Sequence, residues 1–142
     1  MKLQAVQSLV EGLPGVEVGT KWGRKTWMVG GRGFTWERPL GKADVERLGD
    51  ARVPQGDIVA VSVVNLDAKD ALLAMELPGF FTIQHFNGYP AVLIELGLAQ
   101  AKHVRAAIAE AHRAASARPP RAAAKAKAKP ARKRAARARR SR

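Results

Sequence analysis

Cysteine is absent from this chain of 142 residues. Disulfides, thiolate metal sites, cysteine nucleophiles and thiol redox switches are therefore excluded. Long apolar runs are missing as well. The longest, around Ile58–Val64 and Ala91–Leu96, fall far short of the roughly 20 residues a membrane helix needs. Met1–Ser8 contains no unbroken apolar stretch and Glu11 follows closely, so a secretory signal is not expected. A soluble, cytoplasmic protein is the expectation. Aromatics are few, with three Trp, one Tyr and four Phe, which makes each one valuable as core material. Negative charge is missing from one whole region: between Ala117 and Arg142 there is no Asp or Glu.

That region holds twelve basic residues instead: Arg118, Arg121, Lys125, Lys127, Lys129, Arg132, Lys133, Arg134, Arg137, Arg139, Arg140 and Arg142. The whole chain carries a formal +13, so residues 1–116 contribute only +1, thirteen basic against twelve acidic. A nearly neutral body precedes a cationic arm. A block of like charges repels itself, stays solvated and works as an interaction arm. Its natural partner is a polyanion, because each Lys or Arg that neutralises a phosphate releases condensed counterions. The arm also holds ten Ala and three Pro but no large apolar side chain. It cannot offset the entropy of ordering by burial, so residues 117–142 are expected to be disordered when free. Arg132–Arg140 mixes Ala with Arg, both good helix formers, and phosphate would remove the self-repulsion that opposes a helix there.

The body suits one domain with a single core. Leu3, Val6, Leu9, Val10 and Leu13 mark one face of a helix stopped by Pro14-Gly15. A strand meander is expected next: Val16–Trp22, then Lys25–Val29 with Trp27 and Val29 on one face. A turn at Gly30–Gly33 follows, and Phe34–Arg38 returns with Phe34 and Trp36 on one face. Pro39 ends pairing because it cannot donate to a ladder. A short helix over Ala43–Leu48 and a strand over Ile58–Val64 come next. Asp67 is the expected N-cap of a helix Ala68–Glu76. Strands Phe80–His85 and Pro90–Leu96 flank Asn87-Gly88, a hairpin signal. Ala101, Val104, Ile108, Ala111 and Ala115 trace the buried face of a last helix, and Arg118-Pro119-Pro120 marks where the fold stops. The order α-β-β-β-α-β-α-β-β-α implies an α+β domain with an antiparallel sheet packed by helices.

Two stretches carry a family likeness. The first is Leu13-Pro14-Gly15-Val16-Glu17, with Gly19, Trp22-Gly23, Trp27, Val29-Gly30-Gly31 and Phe34 after it. The second runs Phe80-Phe81-Thr82 through His85-Phe86-Asn87-Gly88-Tyr89-Pro90-Ala91-Val92-Leu93. Together they resemble the YjbR/MmcQ family over roughly residues 3–113, which implies a CyaY-like α+β fold with a double-wing motif and DNA binding by fold analogy. Lys25 stands where many members have Pro, and Arg32 replaces the Lys expected before the hairpin's second strand. The arm is similar in composition to the tails of linker histones and basic nucleoid proteins.

Catalytic signatures are not found. Gly30–Gly33 lacks the Lys-Ser/Thr of a phosphate-binding loop and lies between strands. His103 and His112 are nine apart on one expected helix, not at zinc-pair spacing. His85 lies beside Asn87 and Tyr89 without a partnered nucleophile, which favours packing over proton transfer. A frataxin-like iron function would need a cluster of carboxylates, and the first helix offers only Glu11. No enzyme activity, metal or cofactor is expected.

Between Lys21 and Arg38, aromatic and basic residues interleave: Lys21, Trp22, Arg24, Lys25, Trp27, Arg32, Phe34, Trp36 and Arg38. Stacking rings beside cations suit single-stranded nucleic acid. The competing reading makes Trp27, Phe34 and Trp36 core residues of a small sheet, and it is preferred. If Gly30–Gly33 is a wing, its exposed tip places Arg32, with Lys25 as a neighbour, near a phosphate. The expected function is non-enzymatic, largely sequence-nonspecific DNA binding at the nucleoid, with affinity mainly from the arm. The alternatives are an RNA- or ribosome-associated binder, or a ligand- or protein-binding domain that the arm localises to the nucleoid. Membrane is not an expected partner, and the sequence gives no oligomeric state.

Overall fold

A computed structural model describes residues 1–119. Helix α1 (Leu3–Glu11) precedes the strands β1 (Val16–Lys21), β2 (Arg24–Val29) and β3 (Arg32–Glu37). Helix α2 (Lys42–Leu48), strand β4 (Ile58–Ser62) and helix α3 (Leu66–Ala74) follow. A short β5 (Phe80–Phe81), a 3₁₀ turn Gln84–Phe86, β6 (Ala91–Glu95) and α4 (Ala101–Ser116) complete the domain. The expected order of elements is the observed one, and the fold is α+β. From Pro120 onward the arm, with its expected disorder, lies outside the described residues.

All six strands form one antiparallel sheet, ordered β1-β2-β3-β4-β6-β5. Period-two alternation sorts β4 and β6 cleanly between its faces. Val59, Val61, Val92 and Ile94 join the main core with Trp27 and Phe34, under α1 (Val6, Val10) and α4 (Val104, Ile108, Ala111, Ala115). Ile58, Ala60, Ala91 and Leu93 face the other way, beneath Ile83 and Phe86. The first face is thus roofed by two helices. The second is covered over β4 and β6 by the loop 82–90 and the segment leading to α2.

The meander is closed by two tight turns. Val29 pairs with Arg32 around Gly30-Gly31, whose φ values are 59° and 78°. Positive φ at both central residues is the type I′ requirement, so this turn is two residues long and Arg32-Gly33 already belongs to β3. Lys21 pairs with Arg24 around Trp22-Gly23, again with both φ positive. Trp22 is therefore a turn residue and not the end of β1.

Four further expectations are corrected. Trp27 pairs with Thr35 but Met28 with Gly33, so Phe34 has no partner opposite. This bulge breaks the alternation: Phe34 joins the main core while Trp36 packs on the second face. The N-cap of α3 is Asn65, whose Oδ1 accepts from the Ala68 amide at 2.8 Å. Asp67 instead lies in the first turn, where a carboxylate favours the helix dipole. Strand β5 stops after Phe81. Asn87-Gly88 does not close a two-residue hairpin; it forms a turn within the loop, with the Tyr89 amide donating to the Phe86 carbonyl at 3.0 Å.

That loop has a specific clamp. Lys69 of α3 is buried, and its Nζ donates to the carbonyls of Phe86 (2.6 Å) and Tyr89 (2.8 Å). An ammonium supplies three donors and no acceptor, which suits two inward carbonyls of one turn. Burial lowers the Lys69 pKa, with the Asp70 charge pulling the other way.

Candidate nucleic-acid interface

The second face of β1, β2 and β3 is where the sheet stays open. Register aligns Gly19, Thr26 and Trp36 across the three strands. Gly33 adds a place where a Cβ would sit 3.0 Å from Thr26 Cγ2 and 3.8 Å from Lys21 Nζ. Small residues make a shallow floor, and Trp36 stands beside it as a wall. Two adjoining cavities, of about 530 Å³ and about 670 Å³, meet here, and the larger reaches on to Ala114 and Ala115 at the end of α4. Lys21, Trp22, Trp36 and Tyr89 line both.

Aromatic geometry is set by the loop that Lys69 clamps. Tyr89 meets Phe86 edge-on at 5.5 Å between centroids and meets Trp36 at 6.4 Å with an interplanar angle of 67°. Neither contact is a parallel stack. Tyr89 is about half exposed, at 45%, and Trp22 is 86% exposed. The Arg38 guanidinium lies 5.5 Å from the Phe86 ring centre, within cation–π range.

The charge of the lining is one-sided. The two cavities together present Lys21, Arg24, Arg32, Arg38 and Arg118 against a single carboxylate, Asp44. Asp44 is buried, accepts from Arg38 Nη1 at 3.0 Å and accepts from the Gly41 amide at 2.9 Å. Burial alone would raise its pKa. The Gly41 amide and Arg38 outweigh this, and Asp44 sits below its ordinary value. Asp44 thus neutralises Arg38 in place, and the lining holds more basic than acidic side chains.

Lys25, Arg32 and Arg118 are the expected site residues that lie among the described ones. Arg32 is half-buried, not an exposed wing tip: its Nη2 donates to the Pro119 carbonyl at 2.9 Å. It lines the larger cavity with Arg118, so the structure brings these two together. Lys25 shares the side of Trp27, away from the open floor formed by Gly19, Thr26 and Trp36. Its Nζ lies 5.6 Å from the Trp27 ring centre and 3.9 Å from a Glu11 carboxylate oxygen. Arg32 pairs with Val29 at the far end of β2, so the length of the strand separates Lys25 from Arg32. Trp27 and Phe34 are core as preferred, but Trp36 is only partly buried and lines both cavities. Arg121, Lys125, Lys127, Lys129, Arg132, Lys133, Arg134, Arg137, Arg139, Arg140 and Arg142 lie outside the described residues.

Two of the histidines have packing roles. His112 Nε2 lies 2.8 Å from the Pro14 carbonyl and its ring meets Phe34 edge-on, tying α4 to the α1–β1 turn. His103 meets the Phe80 ring. His85 is exposed and lines the smaller cavity with Asp44, where no Ser, Thr or Cys accompanies it. Among the described residues no group of three His, Cys, Asp or Glu is placed to hold a metal ion. No helix among them is long and apolar enough to cross a membrane. Tyr89 is a site residue that sequence reasoning did not single out, and Trp22 entered it only as one of the interleaved aromatics, inside an expected strand. The signal for Trp22 lay in its position before Gly23, which fits a two-residue turn as well as a strand end.

The fold recurs in a crystal structure from Pseudomonas syringae, target PsR293 of the Northeast Structural Genomics Consortium. The match has a TM-score of 0.59 at 14% identity and covers 78% of this chain and 96% of that one. No family model matches the chain. At the sequence level it is 45% identical over 87 residues to the uncharacterized proteins Rv2570 and MT2646 of Mycobacterium tuberculosis (strains H37Rv and CDC 1551) and Mb2600 of Mycobacterium bovis. Each alignment spans 60% of this chain and 67% of the relative. The chain belongs to the family of these mycobacterial proteins.

Proposed function

We propose that the protein is a non-enzymatic, largely sequence-nonspecific DNA-binding protein whose affinity comes mainly from its C-terminal arm. The observation that carries this reading is the arm itself: twelve Lys or Arg and no carboxylate after Ser116. Charge at that density binds phosphate by counterion release and carries no base readout. The open face supports it. Arg32 holds the Pro119 carbonyl, so the chain departs toward the arm from the cavity that also holds Lys21 and Arg118. The resemblance to the YjbR/MmcQ family and to linker-histone tails points the same way, and nucleoid association follows as part of the proposal.

The test compares the full chain with one ending at Pro119, which lacks eleven basic residues but keeps the Arg32 contact. If the arm meets about six to ten phosphates, the full chain should show a log Kd against log[salt] slope of roughly 5 to 9 on random duplex. The shortened chain should bind orders of magnitude more weakly with a much flatter line. Equal affinity and slope for the two would overturn the reading. Tighter binding to structured RNA than to duplex would move it to the RNA alternative.

A further inference from the structure

Trp22 combines two features that the fold itself does not require. It occupies the first central position of a two-residue hairpin turn at φ 51°. Positive φ is disfavoured for any residue with a Cβ, and for a bulky one it is an outlier. Asn-Gly or Gly-Gly would fill the same turn with less strain, and this chain does so in its next hairpin, with Gly30-Gly31. The Trp22 side chain is also 86% exposed, so burial recovers almost nothing for holding a large ring there. Strain of this kind, seen directly, is a reason to look for function.

What surrounds Trp22 defines its ligand. It lines both cavities together with Trp36 and Tyr89, and the Tyr89 ring meets Trp36 edge-on and so does not stack over it. Arg24, two positions along and exposed, and Lys21 stand on the same lining. Arg38 is already matched by Asp44. The site thus offers aromatic rings to a flat π-system and the exposed Arg24 to an adjoining anion. A base pair inside a duplex exposes only its edges, whereas an unstacked nucleobase carries both a free face and a neighbouring phosphate.

We infer that this hollow is a binding site for single-stranded nucleic acid, with an unpaired base stacking on Trp22 and the adjacent phosphate held by Arg24. The inference rests on the nucleic-acid reading above and extends it. The arm supplies sequence-blind attraction to any phosphate backbone, and the domain prefers strands whose bases are exposed. Such stacking is tolerant of sequence because every base has a π-face.

The test uses the full chain and three probes: a short oligothymidylate, a mixed-sequence duplex of equal length, and thymidine monophosphate. Trp22→Asn creates the favoured Asn-Gly turn, so it should melt no lower than the parent. It should weaken oligothymidylate binding by roughly five- to 150-fold, the range for loss of one base–aromatic stack, and leave duplex binding within about twofold. Trp22→Phe should recover most of the lost affinity, and oligothymidylate should quench the parent's tryptophan emission. Oligothymidylate binding by Trp22→Asn within about twofold of the parent's would overturn the inference, as would equal weakening toward both polymers. Saturation by the mononucleotide as tight as by the oligomer would assign the hollow to a free nucleotide and overturn the strand. If duplex binding keeps its steep salt dependence while Trp22 has no effect, this inference alone fails. If the parent binds neither polymer, the DNA-binding reading fails with it.

Discussion

Arg32 Nη2 donates to the carbonyl of Pro119 at 2.9 Å, across 87 positions of sequence. The contact joins the start of β3 to the segment that follows α4, and it fixes where the chain leaves the domain. Its consequence is positional: the chain leaves the C-terminal end of α4 at the larger cavity, beside Arg32, Lys21 and Arg118. Arg32→Ala should leave the domain's melting temperature nearly unchanged, because an exposed hydrogen bond contributes about 1 kcal/mol or less. Backbone order should fall locally instead. NMR order parameters at Ala117 and Arg118 are expected to drop while those of Ala101–Ser116 hold. Unaltered values at both positions would show that the contact does not direct the arm.

Glu95 should make stability fall in acid. Its carboxylate is buried in β6 and accepts from Arg52 Nη1 and Nη2 at 2.7 and 2.8 Å and from the Gln55 amide at 3.0 Å. The Arg52 hydrogen bonds lower its pKa, burial opposes them, and the Gln55 amide adds to the lowering. A group depressed in the folded state contributes stability above its unfolded value, about 4.3 for Glu, and loses it as pH falls through the folded value. Glu95→Gln should cost about 1–3 kcal/mol at neutral pH, less than a fully buried pair because Arg52 is largely exposed. The gap between parent and variant in urea unfolding should narrow as pH falls through the acid range. A gap that stays constant with pH would contradict the assignment.

Gly79 admits no side chain. At φ 82° a Cβ would lie 2.6 Å from the Glu95 carbonyl and 2.8 Å from the Ala99 amide nitrogen, both backbone atoms that cannot rotate away. Gly88 has a similar φ of 75° but nothing within 4 Å. Gly88→Ala should therefore cost about 1–2 kcal/mol from conformation alone, and Gly79→Ala clearly more. Denaturant midpoints of the two variants decide it, and equal losses would show that the approach at Gly79 relaxes freely.

Lys69→Met should loosen the loop that carries the site's aromatics. It removes both donors to the Phe86 and Tyr89 carbonyls, leaving acceptors unmatched at about 1–3 kcal/mol. Faster hydrogen exchange is expected at the amides of Phe86, Asn87 and Tyr89, with β6 still protected. Uniformly faster exchange across the domain would make Lys69 a global stabiliser and not a clamp.

Much of the fold was legible because hydrophobic periodicity reports a buried face. Val104, Ile108, Ala111 and Ala115 announce the inner side of α4, and Pro14-Gly15 and Pro39 punctuate the chain as their backbone chemistry requires. Asn65 and Asp67 both suit the start of α3, and only the path of the chain selects Asn65. The strand assigned to Phe80–His85 gave way to a 3₁₀ turn because the Lys69 ammonium draws the Phe86 and Tyr89 carbonyls inward.

The sequence by itself determined the charge division of this protein, a near-neutral body and a basic arm, since charge is counted residue by residue. It also determined the order of helices and strands, which local pattern encodes. Only the tertiary structure decided which face each side chain of the meander occupies. Alternation alone puts Phe34 beside Trp36, but the unpaired residue in β3 turns Phe34 into the core and leaves Trp36 on the open face with Trp22 and Tyr89. It likewise sent Lys25 to Glu11 and Arg32 to Pro119. Register and bulges are set by pairing between strands, and pairing partners are a property of the folded sheet.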